Sequence, residues 1–178
     1  MTIQVKVPYS TFHHIPKTGG VSVGQWLKDN MGGEEVLIGK HKTPVQLKKK
    51  YGKNLGYEFC VVRNPWERLV SMYHYSLQKD SFMLANVDSF EDWILYTDWG
   101  ACKRPQMEWA KHCDYVLRFE NLNEDFKVIQ DFYHCHAPLP HKNASSHGDY
   151  RGYYTSQEMI DLVAYKHEID IKKFGYEF

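Results

Sequence analysis

The chain lacks an excess of charge, a long apolar run and a recognisable leader segment. Its 178 residues include 22 basic and 22 acidic side chains, so the formal net charge is zero and a general electrostatic affinity for nucleic acid is not indicated. A membrane span needs about 18 or more apolar residues in succession, and the sequence has no such run. Its first segment, Met1–Val7, is too short and too polar for a signal peptide. We therefore expect a soluble, cytoplasmic protein.

Cysteine and histidine are too scattered to predict a disulfide framework or a metal centre. The four cysteines are Cys60, Cys102, Cys113 and Cys135. Because they show no short paired spacing, we expect free thiols. His112-Cys113 and His134-Cys135-His136 combine zinc-ligand types, but their spacing matches no standard zinc pattern. The sequence has no repeats and does not indicate an oligomeric state.

The chain has enough apolar material for one folded domain, which we predict to span residues 1–178. Hydrophobic residues make up 43% of it and aromatic residues 15%, so a sizeable core can form. Short strands are predicted at Ser10–Ile15, Val36–Ile38, Tyr57–Val62 and Tyr115–Phe119. Helices are predicted from the Gly19-Gly20 pair to Met31, at Pro44–Tyr51, Pro65–Gln78, from Asp88 or Ser89 to Tyr96, at Pro105–His112, at Leu122–Tyr133, and from the capping box Thr155-x-x-Glu158 to Lys166 with a last short helix after it. This alternation predicts an α/β fold of three layers, a central parallel β-sheet flanked by helices.

A glycine-containing loop follows the first predicted strand: Pro16-Lys17-Thr18-Gly19-Gly20-Val21-Ser22. Glycines let a ligand approach the backbone closely, and the start of the next helix offers N–H groups and a positive dipole end. Lys17 adds a positive charge, and Thr18 and Ser22 add hydroxyl donors. These features favour an anion-binding loop over an ordinary strand-to-helix turn. In the Walker A pattern the lysine follows the glycines, so a kinase or nucleoside triphosphatase of that type is disfavoured.

A second polar motif begins where the strand at residues 57–62 ends. Arg63 follows that strand directly and can reach a phosphate with two N–H groups at once; a structural salt bridge is the alternative. Ser71 lies two helical turns further along, where its hydroxyl can share the same anion. We expect Arg68 to have a structural or surface role, with Glu67 or Asp80 as its partner.

These motifs resemble those of the nucleotide-dependent sulfotransferases, in particular the branch that contains heparan sulfate 2-O-sulfotransferase and related carbohydrate sulfotransferases. The branch has a His-Ile-Pro-Lys-Thr-Gly-Gly-x-Ser loop, matched here by His14–Ser22, and a Val-Arg-Asn-Pro-x-x-Arg-x-x-Ser motif, matched by Val62–Ser71. Weaker similarities, which we expect to be structural, are Arg118–Leu122 and the terminal Asp170-x-x-x-Phe174-Gly175-Tyr176. The resemblance extends from Phe12 to the C-terminus.

The resemblance implies a P-loop-like sulfotransferase fold and a reaction that needs no metal. It implies 3′-phosphoadenosine-5′-phosphosulfate as the donor and a hydroxyl, carried by a glycan in this branch, as the acceptor. The residues that it assigns to the 5′-phosphosulfate are Lys17, Thr18, Gly19, Gly20, Val21 and Ser22, with Lys17 also stabilising the leaving phosphate. Those that it assigns to the 3′-phosphate are Arg63 and Ser71. The loop Lys142–Arg151 is expected to fold over the nucleotide, with Arg151 as a further contact of the 3′-phosphate.

His41 is the candidate general base. It lies in the segment Gly39-Lys40-His41-Lys42-Thr43, and a histidine in a similar place acts on the acceptor hydroxyl in the branch that the chain resembles. An imidazole with a pKa of about 6.5 suits proton removal near neutral pH; a surface histidine is the alternative. Of His13 and His14, one is expected to point into the sheet. The basic run Lys40–Lys53 is interpreted as a solvated helix face, with an anionic-substrate groove as the alternative.

Three other functional classes are open at this level: an atypical nucleotide-dependent kinase, a non-catalytic nucleotide-binding module of the same fold, and a structural protein. The order of lysine and glycines, together with the pair Arg63 and Ser71, argues against a kinase. A candidate base at His41 argues against a module without catalysis. A structural protein would have no use for polar motifs at the ends of two strands.

Overall fold

The structure, a computed structural model, describes residues 1–36, 41–52, 54–79, 84, 87–141 and 148–178. Within these residues the chain is α/β, with five strands and eight α-helices, which confirms the α/β class. Residue contacts divide the chain into two compact units, Met1–Val62 with Gln106–Asn143 and Arg63–Pro105 with Ala144–Phe178. All five strands belong to the first unit. No helix in the described part of the chain is both long and apolar enough to cross a bilayer.

Most of the predicted elements are present. In chain order, the strands are β1 (Thr2–Lys6), β2 (Tyr9–His13), β3 (Glu34–Glu35), β4 (Tyr57–Val62) and β5 (Tyr115–Arg118). The α-helices are α1 (Gly20–Met31), α2 (Pro44–Tyr51), α3 (Pro65–Gln78), α4 (Phe90–Tyr96), α5 (Met107–Ala110), α6 (Leu122–Tyr133), α7 (Gln157–Lys166) and α8 (Glu168–Phe174). The predicted bounds of β4, α2, α3 and α6 are confirmed, whereas α5 is shorter than predicted.

The sheet is mixed, with the strand order β3-β1-β2-β4-β5. β2, β4 and β5 are parallel, but β1 is antiparallel to both of its neighbours, so the prediction of a wholly parallel sheet is wrong for β1 and β3. Only Val7 and Pro8 connect β1 to β2, and so short a connection can join only antiparallel strands because a parallel pair needs a crossover. β3 lies at Glu34–Glu35, just before the strand predicted at Val36–Ile38. Val36 is not part of β3, and Leu37 and Ile38 lie outside the described residues.

The two faces of the sheet differ in chemistry because successive side chains of a strand point to opposite sides. One face packs into an apolar core with α1 and α6, and this core includes Phe12, Val23, Trp26, Leu27, Phe59, Val61, Leu117, Phe126, Ile129 and Tyr133. The other face carries Thr11 and His13 of β2 and Glu58 of β4, all of them buried. β2, which contributes Thr11 and His13 to this polar face, is followed directly by the loop predicted to bind an anion.

Aromatic rings form the core of the second unit. In the order Trp93, Phe90, Tyr154, Phe178 and Trp66, neighbouring ring centroids lie 5.2–6.0 Å apart. Three of these four contacts are edge-to-face, an arrangement that aromatic quadrupoles favour. The cluster connects α3 and α4 to the C-terminal segment of the same unit.

The terminal motif is structural, as expected. Asp170 is fully buried, and its carboxylate lies 3.5 Å from Nδ1 of His167, which is also buried. Gly175 ends α8 in the left-handed conformation, with φ of 63°, which glycine adopts without strain.

Helix caps explain several of the boundaries. Thr43 begins α2 with a capping box that includes Gln46, and Asn64 caps α3 by accepting from two backbone N–H groups. The predicted capping box at Thr155 is wrong. Ser156 occupies the N-cap of α7 without a side-chain capping bond, and the Thr155 hydroxyl donates to the Glu91 carboxylate instead.

Candidate functional site

The loop between β2 and α1 has the backbone geometry of an anion-binding nest. Lys17 and Gly19 have positive φ angles of 64° and 78°, whereas Thr18 and Gly20 do not. When φ alternates in sign along successive residues, the backbone N–H groups turn toward one concave site, as in phosphate-binding loops. The first turn of α1 follows at once, at the positive end of the helix dipole. The Ser22 N–H donates to the Gly19 carbonyl at 3.0 Å, whereas the N–H groups before it have no intrahelical acceptor.

Side chains within the loop have different roles. The Thr18 hydroxyl donates to the carbonyl of Ile15 at 3.0 Å and the residue is fully buried, so this side chain closes the loop and only its backbone is placed for a ligand. Ser22 lies in the first turn of α1 and is 7% exposed, while Val21 is 38% exposed. Lys17 is half-buried at the turn itself.

The glycine pair is required by packing. A Cβ at Gly20 would lie 2.0 Å from Cδ2 and 2.5 Å from Nε2 of His14. At Gly19 it would lie 3.0 Å from the ring of Phe119, on a residue that already has a positive φ. The His14 ring therefore rests directly on the first residue of α1.

Substituting alanine for Gly20 should destabilise the protein by about 1–3 kcal/mol, the usual cost of forcing a methyl group into a packed site. The nest should also open, because the His14 ring or α1 must move. Thermal unfolding measures the first effect and calorimetric titration with inorganic sulfate the second. The matched control is Gly152→Ala, where a Cβ meets no atom within 4 Å. Equal melting temperatures for the two variants would contradict the packing seen here.

His41 is held against the same loop. Its Nδ1 lies 3.2 Å from the carbonyl oxygen of His14. Because a carbonyl oxygen only accepts, Nδ1 is the donor, and in the neutral ring the lone pair is on Nε2. A hydrogen bond from the Trp109 indole to the carbonyl of Lys42, at 3.0 Å, and the buried cap residue Thr43 fix the segment that carries His41.

His14 lies next to every predicted catalytic group of the first unit. Its ring is 9% exposed and its centroid lies 5.2 Å from that of His41, edge to face. Burial lowers the pKa of His14 well below its ordinary value, and electrostatic interactions with the Met1 amino group, His41 and Lys17 lower it further. The ring is therefore neutral at physiological pH.

A buried ion-pair network occupies the polar face of the sheet. Nε2 of His13 is 2.9 Å from one carboxylate oxygen of Glu58, and the Lys48 ammonium pairs with the other. Burial alone would raise the pKa of Glu58, but hydrogen bonds from His13 and Lys48 outweigh it and the pKa is lowered. Burial is the main cause that lowers the pKa of His13, and the pKa stays below its ordinary value despite the hydrogen bond and charge of Glu58, so the His13 ring is neutral beside the carboxylate and the ammonium.

The network attaches α2 to the sheet. Because His41 lies only two residues before the N-cap of α2, the network also helps to fix the position of His41. Its members are a site component that the sequence analysis missed. The sequence held one indication of this network: His13 and Glu58 are ionisable residues within or next to strands predicted to be buried, and buried ionisable residues usually pair. Within the basic run, Lys48 is structural, Lys49 and Lys50 are exposed, and Lys40 and Lys53 lie outside the described residues.

In the second unit, Arg63 and Ser71 are both deeply buried, with exposed fractions of 4% and 2%. Arg63 follows β4 in the chain, and its Nη2 donates to Glu67 at 2.9 Å. The salt bridge considered as the alternative for Arg63 is thus present. The interpretation of Arg63 and Ser71 as contacts of a 3′-phosphate stays a prediction.

Arg68 is structural, as expected. It is fully buried, and its Nη1 donates to the carbonyls of Cys102 at 3.5 Å and Arg104 at 3.2 Å. Of the two partners predicted for it, Glu67 bonds to Arg63, and Asp80 lies outside the described residues.

Arg151 is about half exposed, and its guanidinium stacks 4.7 Å from the centroid of the Tyr150 ring. The Tyr150 hydroxyl accepts from the Asn64 side chain at 3.4 Å, so Arg151 and the residue after Arg63 share a neighbour within the second unit. Residues 142–147 of the predicted nucleotide-covering loop lie outside the described residues.

The free state predicted for the four cysteines is confirmed. A hydrogen bond with Cys60 and burial raise the pKa of the Cys113 thiol far above its ordinary value, so this thiol is a poor nucleophile. In the part of the chain that the structure describes, no group of three or more His, Cys, Asp or Glu side chains is placed to hold a metal ion.

Comparison with known proteins returned no match: no protein-family model, no curated protein and no solved structure matches the chain.

Proposed function

We propose that the protein is a sulfotransferase that moves a sulfuryl group from 3′-phosphoadenosine-5′-phosphosulfate to an acceptor hydroxyl, with carbohydrates as the favoured acceptor class. The observation that carries the proposal is the pairing of an anion nest with a base. The nest contains Lys17 and Gly19 in left-handed conformations, and His41 donates from Nδ1 to the carbonyl of His14 in the same loop, which makes Nε2 the basic nitrogen of its neutral ring.

The proposed reaction is an in-line transfer. The acceptor oxygen attacks sulfur, the bond from sulfur to the bridging oxygen of the 5′-phosphate breaks, and its electron pair stays on that oxygen. The acceptor's proton passes to Nε2 of His41. Lys17 and the N–H groups at the start of α1 stabilise the charge that develops on the leaving phosphate. In this scheme the base and the group that stabilises the leaving phosphate both belong to the first unit.

The 3′-phosphate is assigned, on the sequence resemblance, to Arg63 and Ser71, with Arg151 as a further contact. The motif from Val62 to Ser71 supports this assignment, whereas the salt bridge of Arg63 to Glu67 is the observation that favours the structural alternative. A site that binds both a 3′-phosphate and a 5′-phosphosulfate would distinguish this nucleotide from ATP, which has no 3′-phosphate.

Thermal unfolding in the presence of nucleotides tests the proposal. Adenosine 3′,5′-bisphosphate at about 100 times its dissociation constant should stabilise the protein by about 2.7 kcal/mol, which corresponds to a rise of about 5–10 °C in melting temperature for a chain of this size. ATP should stabilise it much less. Stabilisation by ATP alone would identify an atypical kinase or another triphosphate-binding protein and reject the sulfotransferase.

The variant Arg63→Ala locates the 3′-phosphate within the same experiment. Its affinity for adenosine 3′,5′-bisphosphate should fall far more than its affinity for adenosine 5′-phosphate, because only the first ligand carries the group that Arg63 is assigned to bind. Both ligands are measured on one variant protein, so any loss of the Glu67 salt bridge affects them alike. Arg118→Ala, at an exposed arginine, is the control, and equal losses for the two ligands would remove Arg63 from this role.

A further inference from the structure

In the first unit, His14 contacts both the start of α1 at Gly20 and the candidate base His41. Its ring edge lies on Gly20, with Nε2 2.5 Å and Cδ2 2.0 Å from the position that a Cβ would take there. The main-chain carbonyl of the same residue accepts the hydrogen bond that orients His41.

The surroundings of the His14 ring determine which nitrogen carries its proton. Nδ1 is buried and has no hydrogen-bond partner among the described residues. An N–H group buried without an acceptor is less well tolerated than a buried lone pair. Since a neutral imidazole has one N–H, the proton belongs on Nε2, the nitrogen beside Gly20 at the start of α1. His14 and His41 are thus arranged as opposites: Nε2 donates in the first and accepts in the second.

We infer that His14 is a catalytic residue, whose Nε2–H donates a hydrogen bond to a sulfuryl oxygen of the bound donor. The inference rests on the proposed function. The sulfuryl group is the relevant part of the donor because the acceptor oxygen must contact both sulfur and the base, and the base His41 is the ring adjacent to His14, with 5.2 Å between the centroids. Burial keeps the His14 ring neutral, so it supplies a donor beside Lys17 without a second fixed charge.

Two variants of equal side-chain length isolate this hydrogen bond. In His14→Gln the amide nitrogen is separated from Cα by as many bonds as Nε2 of histidine, so a donor is retained. In His14→Met the same position holds a methyl group. Calorimetric titration without any acceptor gives the affinities for 3′-phosphoadenosine-5′-phosphosulfate and for adenosine 3′,5′-bisphosphate, which lacks the sulfuryl group.

The expected result is a loss of about tenfold or more in the affinity of His14→Met for the donor, with its affinity for the bisphosphate nearly unchanged and with His14→Gln close to wild type for both ligands. Equal donor affinity in the two variants, or parallel losses for the two ligands, overturns the inference while the proposed function stands. If wild-type protein binds neither ligand, the proposed function fails, and this inference fails with it.

Nitrogen-15 NMR of the wild-type imidazoles tests the same inference without any substitution, which covers the case of a variant that does not fold. Long-range proton–nitrogen correlations distinguish the two neutral tautomers of a histidine. We expect the proton of His14 on Nε2 and that of His41 on Nδ1. A proton on Nδ1 of His14 overturns the inference.

Discussion

Replacing Lys17 with glycine is expected to lower turnover about 100- to 1000-fold, the usual cost of removing one positioned donor of transition-state charge, and to leave the fold at least as stable. Lys17 has a φ of 64°, a left-handed conformation that costs a residue with a Cβ about 1–2 kcal/mol. Glycine avoids this strain and loses about 0.5–1 kcal/mol through its freedom in the unfolded chain. A lysine held in a strained conformation indicates a side chain that is used.

The experiment compares release of adenosine 3′,5′-bisphosphate from the donor with thermal unfolding of the same protein, using an acceptor found by screening glycans, lipids, phenols and small alcohols. Lys17→Met, which keeps the strained backbone and loses the charge, should be equally inactive. Lys6→Met, which removes an exposed ion pair with Glu34, should change neither measurement. Turnover of Lys17→Gly within tenfold of wild type would show that the charge is not catalytic.

Local signals account for the elements that the sequence predicts correctly. Thr43 and Asn64 are cap residues, each followed by a proline at the first helical position, and both helices begin where these residues place them. Gly32 ends α1 in the left-handed conformation that a glycine after a helix indicates. Such signals act within four residues of chain and need no knowledge of the rest of the fold.

Strand β1 shows where local signals fail. Ile3 and Val5 are buried in the core, and Thr2, Gln4 and Lys6 alternate with them, but five residues of alternation are a weak indication of a strand. Its direction follows from the two-residue connection at Val7 and Pro8, and that connection becomes informative only once β1 is known to be a strand. The sheet was therefore predicted without β1 and with all of its strands parallel.

The candidate site was predictable in its residue types and not in its hydrogen bonds. The nest follows from the order of lysine and glycines, which the sequence displays directly. The network of His13, Lys48 and Glu58 depends on the pairing of β2 with β4 and on the packing of α2 against the sheet. The tautomers of His14 and His41 depend on the hydrogen-bond partners of each ring nitrogen, and these are set by the tertiary structure alone.

His41→Asn is the sharpest test of the base because asparagine retains almost everything about this position except the basic nitrogen. His41 has a φ of 61°, and asparagine is among the few residues that adopt the left-handed region readily. The asparagine amide occupies the place of Nδ1 and can still donate to the carbonyl of His14. Alanine would lose this hydrogen bond and add backbone strain, so its effect on turnover could not be assigned to the base.

Turnover of His41→Asn should fall about 100- to 10,000-fold, the range that general-base catalysis usually contributes, while its affinity for adenosine 3′,5′-bisphosphate and its melting temperature stay close to those of wild type. The reason is that the nest, which holds the leaving phosphate, is left intact, whereas the acceptor hydroxyl keeps its proton as it attacks. Single-turnover measurements with saturating donor separate this chemical step from binding. Near-normal turnover would exclude His41 as the base and leave the nest without its catalytic partner.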